Sequence, residues 1–225
     1  MASSVPQPIH DAAAAFDRLP GIGPRAALRY AFWLAGQPKD AIKQFARALD
    51  AVADQVRRCG ICGLWSHTPT CPICSDPQRD KGLVCVVGTN QDARAIEESG
   101  GFRGVYHVLD GLIDPVEGRT PDTLNIPSLI RRAQNVSAPI REIILAFDPD
   151  VSGETTALYL AKQLAATATS VTRLARGLQN GTQIEYADGT TIFDALENRR
   201  PLTSRIAPPK REDPMPPDAG EADPF

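Results

Sequence analysis

Four cysteines, Cys59, Cys62, Cys71 and Cys74, are spaced Cys-x2-Cys-x8-Cys-x2-Cys and constrain this chain more than any other feature. Each Cys-x2-Cys knuckle turns two sulfurs to one side, so a single tetrahedral zinc ion closes both turns with Zn–S bonds of about 2.3 Å. The eight residues between the pairs cannot build a core of their own, and the metal supplies most of the loop's folding energy. Gly60 and Gly63 suit the turns. Sulfur at all four positions leaves no coordination site for water, so the reading is structural zinc and not hydrolytic chemistry. His67, inside the loop, is the rival ligand, and two disulfides are the rival chemistry. A fifth cysteine, Cys85, leaves an odd count, and no charged and then apolar leader is visible, so zinc in a reducing compartment is expected.

The 225 residues allow one large domain or two to three small ones. No apolar run reaches membrane-spanning length, which predicts a cytoplasmic protein with no membrane partner. The net charge of −3 hides an asymmetry: five acids (Glu212, Asp213, Asp218, Glu221, Asp223) crowd the last fourteen positions, and without them the balance is +2. Residues 1–58 carry eight basic side chains against five Asp and no Glu, a mild bias towards an anionic partner.

Hydrophobic spacing changes character along the chain. Residues 10–18 read as an Ala-rich helix that stops at Leu19-Pro20-Gly21-Ile22-Gly23-Pro24. A second helix starts at Pro24 and ends at Gly36, and a third covers 39–57, with Ile42, Phe45, Leu49, Val52 and Val56 on one stripe. Beyond the cysteines, short apolar runs at Leu83–Val87, Val105–Leu109, Ile143–Phe147 and Val171–Leu174 alternate with helical stretches at 91–99, 127–134 and 154–166. That alternation predicts a parallel α/β sheet. Tyr186 and the stretch Thr190–Leu196 are expected to add a strand edge and a helix. The predicted organisation is a helical domain (1–57), a four-cysteine zinc module (58–77), a parallel α/β domain (78–177), a C-terminal segment (178–202) and a disordered acidic, Pro-rich tail (203–225).

Two further segments carry chemistry. The run Leu19-Pro-Gly-Ile-Gly-Pro-Arg25 resembles the helix-hairpin-helix DNA-binding motif. Gly21 and Gly23 let the backbone approach a phosphate, and the N–H groups opening the next helix point at the anion. Ile22 is expected to anchor the hairpin, with Arg18, Arg25 and Arg29 as its cations, Arg25 and Arg29 lying four apart on one helix face. Such contacts hold sugar–phosphate without reading bases, so binding is independent of sequence and sensitive to salt. A helical hairpin used only for packing or dimerisation is the alternative.

The second segment follows the strand at Ile143–Phe147: Asp148-Pro-Asp150-Val-Ser-Gly153-Glu154, at the carboxyl edge where ligands of parallel sheets gather. Asp148 and Asp150, with Glu154 nearby, form a possible Mg2+ site or a partner-contacting loop, against the alternative of a solvated helix cap. The pattern resembles the Asp-x-Asp-x-x-Gly signature of Toprim domains, whose enzymes also carry a glutamate at the end of the first strand. Gly88 stands at that position and cannot transfer a proton. Asp92 is expected to serve the next helix terminus, and Cys85 to behave as a buried, inert thiol. His10 and His107 show no partner pattern.

Taken in order, the hairpin, the cysteine module and the Toprim-like segment resemble the RecR family of bacterial recombination mediators over about residues 12–202. Cys74-Ser-Asp-Pro-Gln-Arg79, Val105-Tyr-His-Val-Leu109, Val171-Thr-Arg-Leu-Ala175 with Gly177, Glu185-Tyr186 and Asp188–Thr191 carry the likeness further. The resemblance implies a non-enzymatic protein that assembles as a ring-like tetramer able to encircle DNA. It also implies pairing with RecO and in some settings RecF, and help in loading RecA onto strands covered by single-stranded DNA-binding protein. By position, Arg25 and Arg29 match DNA-contacting residues, the four cysteines match zinc ligands, and the hairpin also carries a subunit interface. The chain departs from the family at Gly88, where glutamate is usual, and at Asp148-Pro-Asp with Ser152-Gly153, where Asn-Pro-Thr with a later Glu-Gly is usual.

The rival function is a Mg2+-dependent Toprim enzyme acting on DNA phosphodiesters; a third is a scaffold whose zinc and hairpin serve assembly alone. The tail ends in Glu221-Ala-Asp-Pro-Phe225, which resembles the acidic Pro-Phe terminus of single-stranded DNA-binding protein and predicts competition for a basic, apolar pocket on RecO, against the alternative of a tail that only solubilises.

Overall fold

Proline and glycine set the limits of the first three helices. The computed structural model describes residues 5–199. Helix α1 (Gln7–Phe16) opens behind Pro6, three residues before its expected start. The turn at Gly21, whose φ is +77°, leads into α2 (Pro24–Ala35), with Gly23 as its N-cap and Pro24 at the first helical position. Ala27 and Ala31 are buried and let α2 approach α1, with Phe16 edge-on to Tyr30 at 6.1 Å. Helix α3 (Lys39–Gln55) is amphipathic as its spacing requires, yet it contains no buried residue, and Phe45, Leu49 and Val52 are exposed. That apolar stripe becomes core only if something else covers it.

Helix α3 runs directly into the cysteine module, which is built from the antiparallel pair β1 (Arg57–Arg58) and β2 (Trp65–Ser66) and the short helix α4 (Pro72–Ser75). The parallel sheet follows as β3 (Asp80–Val87), β4 (Gly104–Val108), β5 (Glu142–Ala146) and β6 (Ser170–Arg173). The crossovers carry α5 (Asn90–Glu98), α6 (Ile126–Ala133) and α7 (Val151–Leu164). The strand order is β4-β3-β5-β6, so β3 is central, with Val84–Val87 in register with Val105–Val108 on one side and Ile143–Ala146 on the other. Apart from the half-buried Ile144, their side chains are almost fully buried, together with Leu109, Leu129, Leu160 and Leu164. Each fully buried Val, Leu or Ile among them contributes about 1.5–3 kcal/mol, which places the core of the molecule here. Cys85 is buried in mid-strand and its thiol is pushed up to about 12, as an inert core cysteine should be.

The switch in strand order lies between β3 and β5, where the loops after both strands open a crevice. Helix α7 begins three residues earlier than periodicity predicts, because the Asp150 carboxylate accepts from the Gly153 N–H at 2.7 Å and caps it.

The chain divides after Arg173 into two units. In the second, a 3-10 turn at Ile184–Tyr186 precedes α8 (Gly189–Glu197), capped by Asp188 through the Thr191 N–H. The strand edge expected at Tyr186 is not formed. The three residues close on themselves through Ala187 N–H to Ile184 O at 3.2 Å, and the Asp188 cap follows at once, leaving no length to pair. The acidic tail at 203–225 and its Pro-Phe terminus lie outside the described residues. No helix among the described residues is long and apolar enough to cross a membrane.

Candidate metal centre and nucleic-acid interface

The four cysteine sulfurs converge as their spacing requires. All four residues are buried and their Sγ atoms lie within 4.8 Å of one another, the one such group of three or more potential ligands among the described residues. Backbone N–H groups point at the sulfurs, from Cys71 to Cys59 Sγ at 3.3 Å and from Cys74 to Cys71 Sγ at 3.4 Å. As thiols the four share protons unevenly. The hydrogen bond from Cys62 holds Cys74 down to about 6, the same bond together with burial pushes Cys62 far up, and burial raises Cys71 to about 11. A dication resolves that crowding by converting all four into ligands. His67 is exposed and outside the group. The four cysteines form a structural Zn2+ site.

The module is joined to the sheet along several lines. Val108, at the end of β4, donates to Cys62 O at 2.8 Å, and Trp65 N–H donates to Asn90 Oδ1 at 2.9 Å. Arg58 stacks over Trp65 at 4.6 Å and pairs with Asp110, which takes a left-handed φ of +68°. Gly63 also has positive φ, and a Cβ there would press on Val108 O and Asn125 Nδ2 at 3.2 Å. Ile73 packs against both the sulfurs and the sheet.

The hairpin is arranged very differently. Gly21, Ile22 and Gly23 form the turn between α1 and α2, closed by Ile22 N–H to Leu19 O at 3.1 Å; Ile22 is half-buried. Helix α2 has no side-chain cap, so its first N–H groups are left for another acceptor. Arg18, Arg25 and Arg29 are exposed around it, and Arg29 lies over the Tyr30 ring at 5.4 Å. Beside them Phe16, Tyr30, Trp33, Leu34 and Phe45 line an open apolar groove of about 300 Å³, and Trp33 is 64% exposed.

The acidic loop borders the crevice between β3 and β5, a cavity of about 300 Å³ lined by Gly88, Asp92, Asp114, Arg119, Asp148 and Asp150 among others. Most of these carboxylates already have protein partners. Asp92 closes a capping box with Thr89, Asp114 accepts from Val116 and Glu117 N–H, and Asp150 caps α7. Glu154 turns away to Arg173 at 3.1 Å and does not line the cavity. Gly88 leaves the end of β3 without a carboxylate. Asp114 and Arg119 were not singled out by sequence; they sit in an irregular stretch whose one regular trace is the bridge between them.

A basic, uncapped helical hairpin, a closed tetrathiolate module and a Toprim-type sheet in one chain define the class of zinc-containing, DNA-directed Toprim proteins. The Toprim domain family model matches residues 82–175, the RecR helix-hairpin-helix model matches residues 9–53, and the RecR four-cysteine zinc finger domain model matches residues 56–76. Curated proteins named "Recombination protein RecR" are similar over most of their length. That of Parasynechococcus marenigrum is 48% identical over 187 residues, covering 83% of this chain and 96% of its own. Those of Prochlorococcus marinus and Bifidobacterium longum subsp. infantis are 49% and 43% identical, over 83% of this chain and 97% and 92% of theirs. This chain belongs to the RecR family, whose field of action is DNA recombination and repair.

Proposed function

We propose that this protein is a non-catalytic, DNA-binding recombination mediator. It acts as a ring-like homotetrameric clamp with RecO, and with RecF where required, to help load RecA onto DNA covered by single-stranded DNA-binding protein. One observation carries the DNA part: the α2 terminus is uncapped and flanked by the exposed Arg18, Arg25 and Arg29, with Gly21 and Gly23 giving close backbone approach around Ile22. The contacts are to phosphate, so binding does not depend on sequence. Assembly is supported by the exposed apolar faces of α2 and α3, which a second copy of the chain would cover. In this division of labour residues 1–57 bind DNA and a neighbouring subunit, 58–77 hold zinc, 78–177 receive partners such as RecO, and 178–202 form the C-terminal segment. The site of action is the cytoplasm, at the nucleoid.

The non-enzymatic reading is supported by Gly88 in place of a proton-transferring carboxylate and by the prior commitments of Asp92, Asp114, Asp150 and Glu154. Asp148 and Asp150 remain the place where Mg2+ or a partner would be received. The experiment is the mass of the assembly in solution, alone and with RecO and DNA, together with a nicking assay in Mg2+. A tetramer that binds DNA without cutting it is expected. A monomer throughout overturns the clamp, and nicking abolished by Asp148→Asn establishes the rival phosphodiester enzyme.

A further inference from the structure

A guanidinium withdrawn from water needs a counter-charge, because an unpaired buried ion costs several kcal/mol. Arg132, in the last turn of α6, is largely withdrawn from solvent, and its hydrogen bond goes to a neutral group: Nη1 donates to the Tyr106 carbonyl of β4 at 2.8 Å. No carboxylate lies within ion-pair distance of it among the described residues, whereas Arg58, Arg79, Arg94, Arg119, Arg141 and Arg173 each have one. The strand that holds it also carries the metal module, since Val108, two residues beyond Tyr106, donates to Cys62 O at 2.8 Å.

We propose that Arg132 is the counter-cation of the zinc tetrathiolate, a positioning residue that offsets the charge of the closed cluster and couples metal loading to the docking of the module on the sheet. Four thiolates around one Zn2+ carry a net charge of −2, and a buried cluster of that charge is stabilised by a cation fixed beside it. Tyr106 O and the Val108 N–H lie on the same edge of β4, the one facing away from β3, to which the Leu109 N–H donates at Val87 O, so the guanidinium and Cys62 dock at neighbouring points of one strand. The neighbouring Arg131 is exposed and serves the helix terminus, so two adjacent arginines have separate roles.

The test is zinc retention by the full chain against a chromophoric chelator, with total zinc measured by mass spectrometry. Arg132→Met keeps the stem volume and removes the charge; Arg132→Lys keeps the charge and loses the fork; Arg131→Gln is the surface control. Outer-sphere partners of bound metals are worth about 10–100-fold in affinity, so R132M is expected to weaken zinc binding by that factor, while R132K and R131Q stay within about threefold of wild type. R132M holding zinc like wild type overturns the proposal. So does R132K weakened as much as R132M, which would assign the residue to the Tyr106 hydrogen bond alone. If R132M does not fold, R132K still decides: a charge-keeping variant that folds and retains zinc supports the counter-cation, and one that loses zinc refutes it.

Discussion

The helical hairpin and the zinc-joined sheet lie in one chain but satisfy their polar and apolar groups in opposite ways. In the sheet region α4, α5 and α7 are capped by Cys71, Thr89 and Asp150, and the strands bury valine and isoleucine on both faces. In the hairpin region α1, α2 and α3 have no side-chain caps, α1 and α3 bury nothing fully, and Val52 is 61% exposed. A region that satisfies its own caps and buries its own core needs no partner in order to fold. A region with free helix-terminal donors, exposed cations and an uncovered apolar stripe is finished by what it binds. Under the proposed function, the difference assigns DNA contact to the hairpin and stability to the joint.

The largest effect should follow from breaking the joint. Cys59→Ser or Cys71→Ser removes a ligand, and structural zinc in such modules is worth on the order of 10 kcal/mol, so zinc content should fall to near zero and assembly should fail. Mass spectrometry and sedimentation check this; unaltered zinc and assembly would erase the contrast between the two regions.

Gly153→Ala should be next. A Cβ there would collide with the Asp148 carbonyl, a backbone atom, and the turn into α7 must move; a loss of about 2–4 kcal/mol is expected by urea unfolding, with DNA affinity unchanged. A neutral result would show that the acidic loop is looser than its capping geometry.

His107 gives a pH-dependent effect of similar size. It is fully buried in β4, with Nε2 bonded to Asn125 O at 3.0 Å and Nδ1 without a partner, and burial lowers it from 6.5 to about 4. Between those values the unfolded chain takes up a proton that the folded chain refuses. Stability therefore falls as pH falls through that window, by about 3 kcal/mol in all. His107→Gln should flatten this part of the profile relative to wild type, while protonation of the cysteines affects both proteins alike. Parallel profiles would remove His107 from the account.

Much of this was legible beforehand, and for identifiable reasons. Cysteine spacing specifies a metal site without tertiary knowledge, and four strands with their helices follow from alternation. The role of Asp92 at the terminus of α5 was legible because its capping partner, Thr89, lies one turn away. The misses came from competition at short range: the Asp150 cap draws α7 three residues earlier, and the Asp188 cap leaves Tyr186 in a 3-10 turn. Arg132, Asp114 and Arg119 were invisible because their neighbours come from other elements: β4 for Arg132, and the loops after β3 and β5 for the other two. The α3 stripe was recognised as apolar, but one chain's sequence does not say whose surface covers it.

The smallest change in stability should accompany the most informative change in binding. Arg25→Ala with Arg29→Ala removes two exposed side chains and should alter stability by no more than about 0.5 kcal/mol. The decisive measurement is DNA affinity across a salt series for wild type, this double variant, and Asp148→Asn with Asp150→Asn. Each phosphate contact contributes about 0.9 to the slope of log affinity against log salt, so the arginine variant should bind weakly with a slope reduced by about 2. The acidic-loop variant should match wild type or bind slightly tighter. A wild-type slope in the arginine variant, or lost binding in the acidic-loop variant alone, would contradict the assignment of DNA contact to the hairpin.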